Sequence, residues 1–209
     1  MADWVTISAL ATAGGTLILA VATFSSVRSA NRAARAAERS LLAGLRPVLM
    51  PSRLEDPPQK VSFADQHWVK IDGGHAAFEV SPEAIYLVIG LRNAGAGIAV
   101  LHGWYFYPER QGASDHPKIG DFRRLTRDIY VPAGDTGFWQ GAFRDPNEPV
   151  FALARDAAAA GQPVTVDLLY GDHEGGQRMI SRFALSPMPN GSWLSVVGRH
   201  WNLDRPNPR

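Results

Sequence analysis

Residues 4–27, WVTISALATAGGTLILAVATFSSV, contain no charged side chain, and no other stretch constrains the chain as strongly. As an α-helix this segment is about 36 Å long at roughly 1.5 Å per residue, enough to cross a hydrocarbon core of about 30 Å with some tilt. Its apolar character is moderate. Val5, Ile7, Leu10, Leu17, Ile18, Leu19, Val21 and Phe24 are diluted by Ala, Thr, Ser and the Gly14-Gly15 pair. Insertion into a bilayer would therefore depend on the complete absence of charge. A transmembrane helix over 4–27 is the expectation. A cleavable signal peptide is the first alternative, since Ala20-Val21-Ala22 has the look of a cleavage site, but Asp3 stands where that signal wants positive charge. A buried globular helix is the second, and the segment is long for one.

Charge gives the helix a direction. Residues 1–46 hold five arginines, Arg28, Arg32, Arg35, Arg39 and Arg46, against Asp3 and Glu38. All five follow the apolar run and none precedes it. The positive-inside rule then predicts the N-terminus outside and the rest of the chain in the cytoplasm of a single-pass plasma-membrane protein, with Trp4 at the outer interface. Residues 28–46 continue in strong helix formers, and Arg28, Arg32, Arg35 and Arg39 fall on one helical face. Such a stripe suits anionic lipid head groups, at about 1 kcal/mol per residue, or simply remains solvated. Gly44 and Pro47 are stop signals. Ser8, Thr12, Thr16 and Ala20 recur every fourth position, a small-residue stripe that permits close approach of a second helix, although an Ala- and Thr-rich composition produces the same spacing.

After Arg46 the periodicity changes from 3.6 to 2. Strands are expected over Pro47–Arg53, Trp68–Ile71, Ala76–Val80, Ala84–Arg92, Ile98–Tyr107, Phe122–Val131, Gly137–Phe143, Val164–Tyr170, Arg178–Leu185 and Trp193–Trp201. Asp72-Gly73-Gly74 reads as a hairpin turn between the second and third. Residues 148–160 form the one convincing helix, ended by Gly161. The pattern predicts a mainly β domain over 47–203, an antiparallel, immunoglobulin-like β-sandwich with one short helix and a C-terminal tail over 204–209. A half-open barrel is the alternative. There are no cysteines, which excludes a disulfide framework and thiolate chemistry. Beyond residue 46 acidic residues slightly outnumber basic ones, so the broad positive footprint of a nucleic-acid binder is missing.

The layout, with an apolar helix, an Arg/Ala helical segment, Arg46-Pro47-Val48 and the later Leu91-Arg92-Asn93-Ala94-Gly95-Ala96-Gly97, resembles single-pass bacterial membrane proteins of an actinobacterial type. The resemblance implies an anchored β domain and carries no activity and no site residue.

The sequence offers no catalytic spacing. None of the six histidines pairs at i, i+4 or lies in an H-E-x-x-H setting, and neither a phosphate loop nor a nucleophile elbow is present, so no cofactor or metal is expected. His67 and His75 with Asp65 and Asp72 are the nearest approach to a metal site, although loop residues are the simpler reading. Asp172-His173-Glu174-Gly175-Gly176 carries ligand-type side chains but sits where a chain reversal needs Asp and Gly. His102 alternates with Trp104 and Phe106 and reads as a packed histidine. Gly103 is followed by Trp104, Tyr105, Phe106 and Tyr107, which put aromatics on both faces of one strand. Either both faces are covered, by the 148–160 helix or a neighbouring subunit, or one is an interaction surface. Arg199-His200-Trp201 reads as a covered edge. The expected function is a membrane-anchored, non-enzymatic interaction module that binds a protein partner or a second copy of itself. The alternatives are an enzyme or ligand-binding domain with a site assembled from loops, and an exported domain released by cleavage.

Overall fold

The structure, a computed structural model, describes residues 3–112 and 115–206; the end of the tail expected over 204–209 lies outside the described residues. The chain divides into two compact units, Met1–Ala43 and Gly44–Arg209. The first is occupied by α1, Trp4–Gly44, a continuous 41-residue helix that stops at the glycine expected to end it. Within α1, Ile7–Leu42 is long and apolar enough to cross a membrane, and its side chains are exposed from Ile7 to Leu41. Three of its hydroxyls return to their own helix: Thr12 and Thr16 Oγ1 donate to the Ser8 and Thr12 carbonyls at 2.9 and 2.8 Å, and Thr23 to Leu19 at 2.7 Å. Back-bonding of this kind removes the polarity of a hydroxyl without a second helix.

The second unit is mainly β, antiparallel throughout, with one short α-helix, as the pattern predicts. Its strands are β1 (Leu49–Pro51), β2 (Gln59–Ser62), β3 (Trp68–Ile71), β4 (His75–Val80), β5 (Ile85–Asn93), β6 (Ala99–Tyr107), β7 (Arg123–Val131), β8 (Thr136–Phe143), β9 (Val164–Asp172), β10 (Arg178–Pro187) and β11 (Trp193–Asn202). Nine of them join one sheet in the order β1-β5-β4-β11-β10-β9-β6-β7, with β8 on the other side of β5. Only Ala76–Trp193 and His75–Leu194 link β4 to β11, and at this short junction the sheet folds over on itself. The two layers of the expected sandwich are therefore halves of one curled sheet, close to the half-open barrel. Between them lie Leu87, Ile89, Trp139 and Phe143 from one half, and Trp104, Phe106, Leu168 and Phe183 from the other.

The helix α2, Pro149–Ala159, presses Phe151, Ala154 and Ala157 into this core. Its end is held by Gly161 in the left-handed region, where Gln162 N donates to Ala157 O and Gly161 N to Ala158 O. Both halves of the sheet are covered outside as well. The β2–β3 ribbon lays Val61, Phe63, Val69 and Ile71 on Ala84, Tyr86 and Val88 of the β5 side. Across the molecule, Phe122 packs with Leu169, Ile180 and Trp201, beneath the connection that follows β6. This double covering explains why β5 reads as a nearly unbroken apolar run and why every residue of β9 is buried.

Two local expectations are corrected. Asp72–Gly74 is a tight turn, with His75 N donating to Asp72 O, but it does not join a hairpin. β3 pairs instead with β2, and the chain crosses from this ribbon to the main sheet. Gly73 lies against the carbonyls of Arg53 and Asp56, which leave no room for a Cβ. β2 itself escaped the pattern because only one of its four residues, Val61, is apolar. His102 does not share a face with Trp104 and Phe106. The ladder shifts register between Leu101 and Gly103 on both sides of β6, and this bulge turns His102 outward.

The chain enters the domain through a clasp built on the buried Asn93. Its Oδ1 accepts from the backbone N–H groups of Val48 and Gly95, and its Nδ2 donates to the carbonyls of Gly97 and Val131. Ala94 N and Ala96 N donate to Val48 O and Arg46 O. A Cβ at Gly95 or Gly97 would collide with the backbone of Arg46 or Leu45, so the Asn-Ala-Gly-Ala-Gly segment is a bed for the incoming strand.

Candidate functional site

β7 and β8 follow each other in sequence but do not pair, and the curled sheet stays open between them. β7 is also bulged here. The register with β6 jumps from Leu101–Ile129 to Gly103–Arg124, leaving residues 125–128 outside the ladder. A cleft of about 430 Å³ occupies this seam. Arg123, Arg124 and Arg127 come from β7 and Arg144 from the end of β8. Phe63, Leu125, Ile129 and Ala142 supply apolar wall, with the buried edge of Trp104. Among the described residues no carboxylate lines it.

Three of these guanidiniums are oriented by neighbours. Arg123 is ion-paired to Glu148 and lies over the rings of Phe143 and Trp104, 5.0 and 5.7 Å from their centroids. Arg127 donates to Gln140 Oε1 at 3.0 Å and lies 5.3 Å over Phe138. Arg144 reaches Asp65 at 3.3 Å and lies 6.0 Å from Phe63. Arg124 is exposed and makes no ion pair among the described residues. Burial pulls Arg123 below the usual arginine value. Asp65 anchors the rim: burial pushes its carboxyl up, but the Tyr86 hydroxyl at 2.8 Å, the His67 N–H and Arg144 outweigh that and hold it below the ordinary carboxylate range. His67 stacks on Tyr86 with ring centroids 4.0 Å apart and bonds Glu79 at 2.8 Å.

The residues singled out in the sequence fall elsewhere. Arg28, Arg32, Arg35 and Arg39 are exposed on α1. Trp104 and Phe106 belong to the core, edge-on to Trp139 and Phe143 respectively. Tyr105 and Tyr107 are half-buried on the other face, Tyr105 beside Phe122 and Tyr107 under the Arg182 guanidinium. Cover on that side comes from the segment after β6 rather than from α2. His67 and Asp65 converge, but the His75 ring bonds Gly73 O at 2.7 Å, and no metal-binding group of three ligands exists among the described residues. Asp172–Gly176 is a turn in which Asp172 accepts from Gly176 N and Gln177 Nε2, with Gly175 left-handed.

Two buried polar networks lie outside the cleft. Arg182 forms a bidentate pair with Asp167 at 2.8 and 2.7 Å, and both are buried. The same guanidinium donates to Gly112 O and Asp115 O and stacks on Trp201, pinning the segment after β6 to the sheet. The second network runs from Leu49 N to the Tyr170 hydroxyl, on to Ser181 Oγ at 2.8 Å and then to His200 Nδ1 at 2.6 Å. Ser181 and His200 have the separation of a nucleophile and its base, but the Ser181 side chain is fully buried and no substrate can reach it. Burial, and then Arg46, lower the His200 pKa, in keeping with a neutral imidazole hydrogen-bonded to Ser181 Oγ.

The arginine cleft was not legible in the sequence. Arg123, Arg124 and Arg127 read as ordinary strand residues, and Arg144 and Gln140 join them only through the fold. Comparison with protein-family models, curated proteins and solved structures found no match to this chain.

Proposed function

We propose that this protein is a single-pass, membrane-anchored, non-enzymatic interaction module whose β domain is held at the cytoplasmic face. The observation that carries the reading is α1. Its large apolar side chains are exposed along the helix, and the hydroxyls of Thr12, Thr16 and Thr23 are satisfied within it, so the surface it presents suits lipid rather than water. Arginines on one flank only favour the orientation with the N-terminus outside. Anionic head groups are the natural counter-charge for Arg28, Arg32, Arg35 and Arg39.

The test uses the absence of cysteines. Asp3→Cys and Glu55→Cys are placed singly, both at exposed positions, and intact cells are treated with an impermeant maleimide. The proposal requires Asp3→Cys to label and Glu55→Cys to label only after the cells are opened. The reverse pattern sinks the orientation, and recovery of the full chain in the carbonate-soluble fraction sinks the anchor. A mature N-terminus beginning after Ala22 would instead establish the exported alternative.

A further inference from the structure

We infer that the cleft between β7 and β8 binds a phosphate monoester carried on an apolar body. This inference concerns the domain alone and holds whichever way the chain is oriented. The charge balance sets the ligand's charge. Arg123, Arg124, Arg127 and Arg144 line the cleft, while Glu148 and Asp65 neutralise Arg123 and Arg144. Two guanidiniums, Arg124 and Arg127, remain without a carboxylate among the described residues. Two uncompensated positive charges suit a group carrying about −1.5 to −2 at neutral pH, as a phosphate monoester does, better than a single carboxylate.

Geometry supports the same ligand. Guanidiniums present paired N–H donors that match the oxygens of phosphate, and stacking on Phe138, Phe63 and Phe143 orients three of them in advance. Little ordering then remains for the moment of binding. The cleft volume falls within the range of about 300–1,000 Å³ typical of small-ligand sites, and Phe63, Leu125, Ile129 and Ala142 form an apolar wall beside the arginines. A bare anion would leave that wall in contact with water. A phosphate with an attached apolar group fills both parts. Such a group belongs either to a soluble phosphate ester or to the head group of an anionic lipid.

Calorimetric titration of the full chain in phosphatidylcholine nanodiscs, with phenyl phosphate, inorganic phosphate and benzoate, tests the inference. Phenyl phosphate is expected to bind more tightly than either of the others, and more weakly as salt is raised. The double variant Arg124→Gln/Arg127→Gln is expected to lose at least about tenfold in affinity, the effect of removing charge-assisted hydrogen bonds. Both side chains are exposed, and Arg127 also bonds Gln140, so a retained cooperative thermal transition, with the midpoint lowered by the loss of that bond, separates lost binding from lost fold. Arg28→Gln/Arg32→Gln should leave the titration unchanged. Phosphatidic acid in the discs identifies the source: suppression of phenyl phosphate binding marks a lipid head group, and undiminished binding a soluble ester. Absence of binding at millimolar phenyl phosphate overturns the inference. So does equal binding of benzoate, or affinity that survives the double variant.

Discussion

In α1 the side chains of Leu10, Leu17, Ile18, Leu19 and Phe24 are each 67–71% exposed, whereas in the domain Leu87, Ile89, Trp139, Phe143 and Phe183 are completely buried. The polar groups are arranged in the opposite sense. Three α1 hydroxyls, of Thr12, Thr16 and Thr23, turn back onto their own helix, while the domain seals Arg182 with Asp167, and Tyr170 with Ser181 and His200, inside the fold. One rule accounts for both halves: wherever water is excluded, each polar group must find a partner nearby. The helix meets that rule locally, within four residues. The domain meets it through partners far apart in sequence, with Trp139 Nε1 and Ser195 Oγ left as buried exceptions.

The sharpest way to break this comparison is to remove a partner from inside the domain. Asp167→Asn leaves the Arg182 charge buried without its counter-ion, and we expect a loss of about 3–5 kcal/mol in chemical denaturation, with membrane association untouched. A wild-type-like midpoint would show that the pair is open to water. Leu17→Arg makes the complementary intrusion in α1. Its expected cost is about 2.5–3.5 kcal/mol in membrane insertion, read as a shift of the chain to the soluble fraction, with the domain melting as before. If the domain melted early instead, α1 would be part of its fold.

A smaller effect follows from His200. Its folded pKa lies below the unfolded value of about 6.5, so on acidification the unfolded chain takes up the proton more readily than the folded one. The stability contributed by neutral His200 is present above that value and is lost as pH falls below it. Denaturation midpoints compared at neutral and mildly acidic pH should show this loss, and His200→Asn should reduce it. An unchanged slope in the variant would assign the pH dependence to other groups. The smallest effect is expected at Thr16→Val, because the hydroxyl bonds only to Thr12 O of its own helix. Insertion and oligomeric state should remain as in the parent. A loss of self-association would mean that the small-residue stripe meets a second helix.

Most elements were legible in the sequence because their signals are local. The uncharged run and Gly44 bound α1, period-2 alternation marks strands such as β6 and β10, and Gly161 ends α2. β2 has too weak an alternation to register, and Asp72–Gly74 specifies a reversal without specifying a partner, which is β2 for β3 rather than β4. At His102 a bulge breaks the period on which face assignment depends, so the alternation points to the wrong face.

The helix, its exposed apolar surface and its one-sided arginines were thus determined by sequence alone, since each depends on residues within a few positions of one another. Tertiary structure decided everything that depends on distant residues coming together. It curled the sheet at two β4–β11 pairs, buried Trp104 and Phe106 in the core, and used Arg182 to fasten the segment after β6. It also left β7 and β8 unpaired, with the four residues 125–128 standing outside the ladder with β6. That open seam gathers four arginines from two strands, where no spacing along the chain would have placed them.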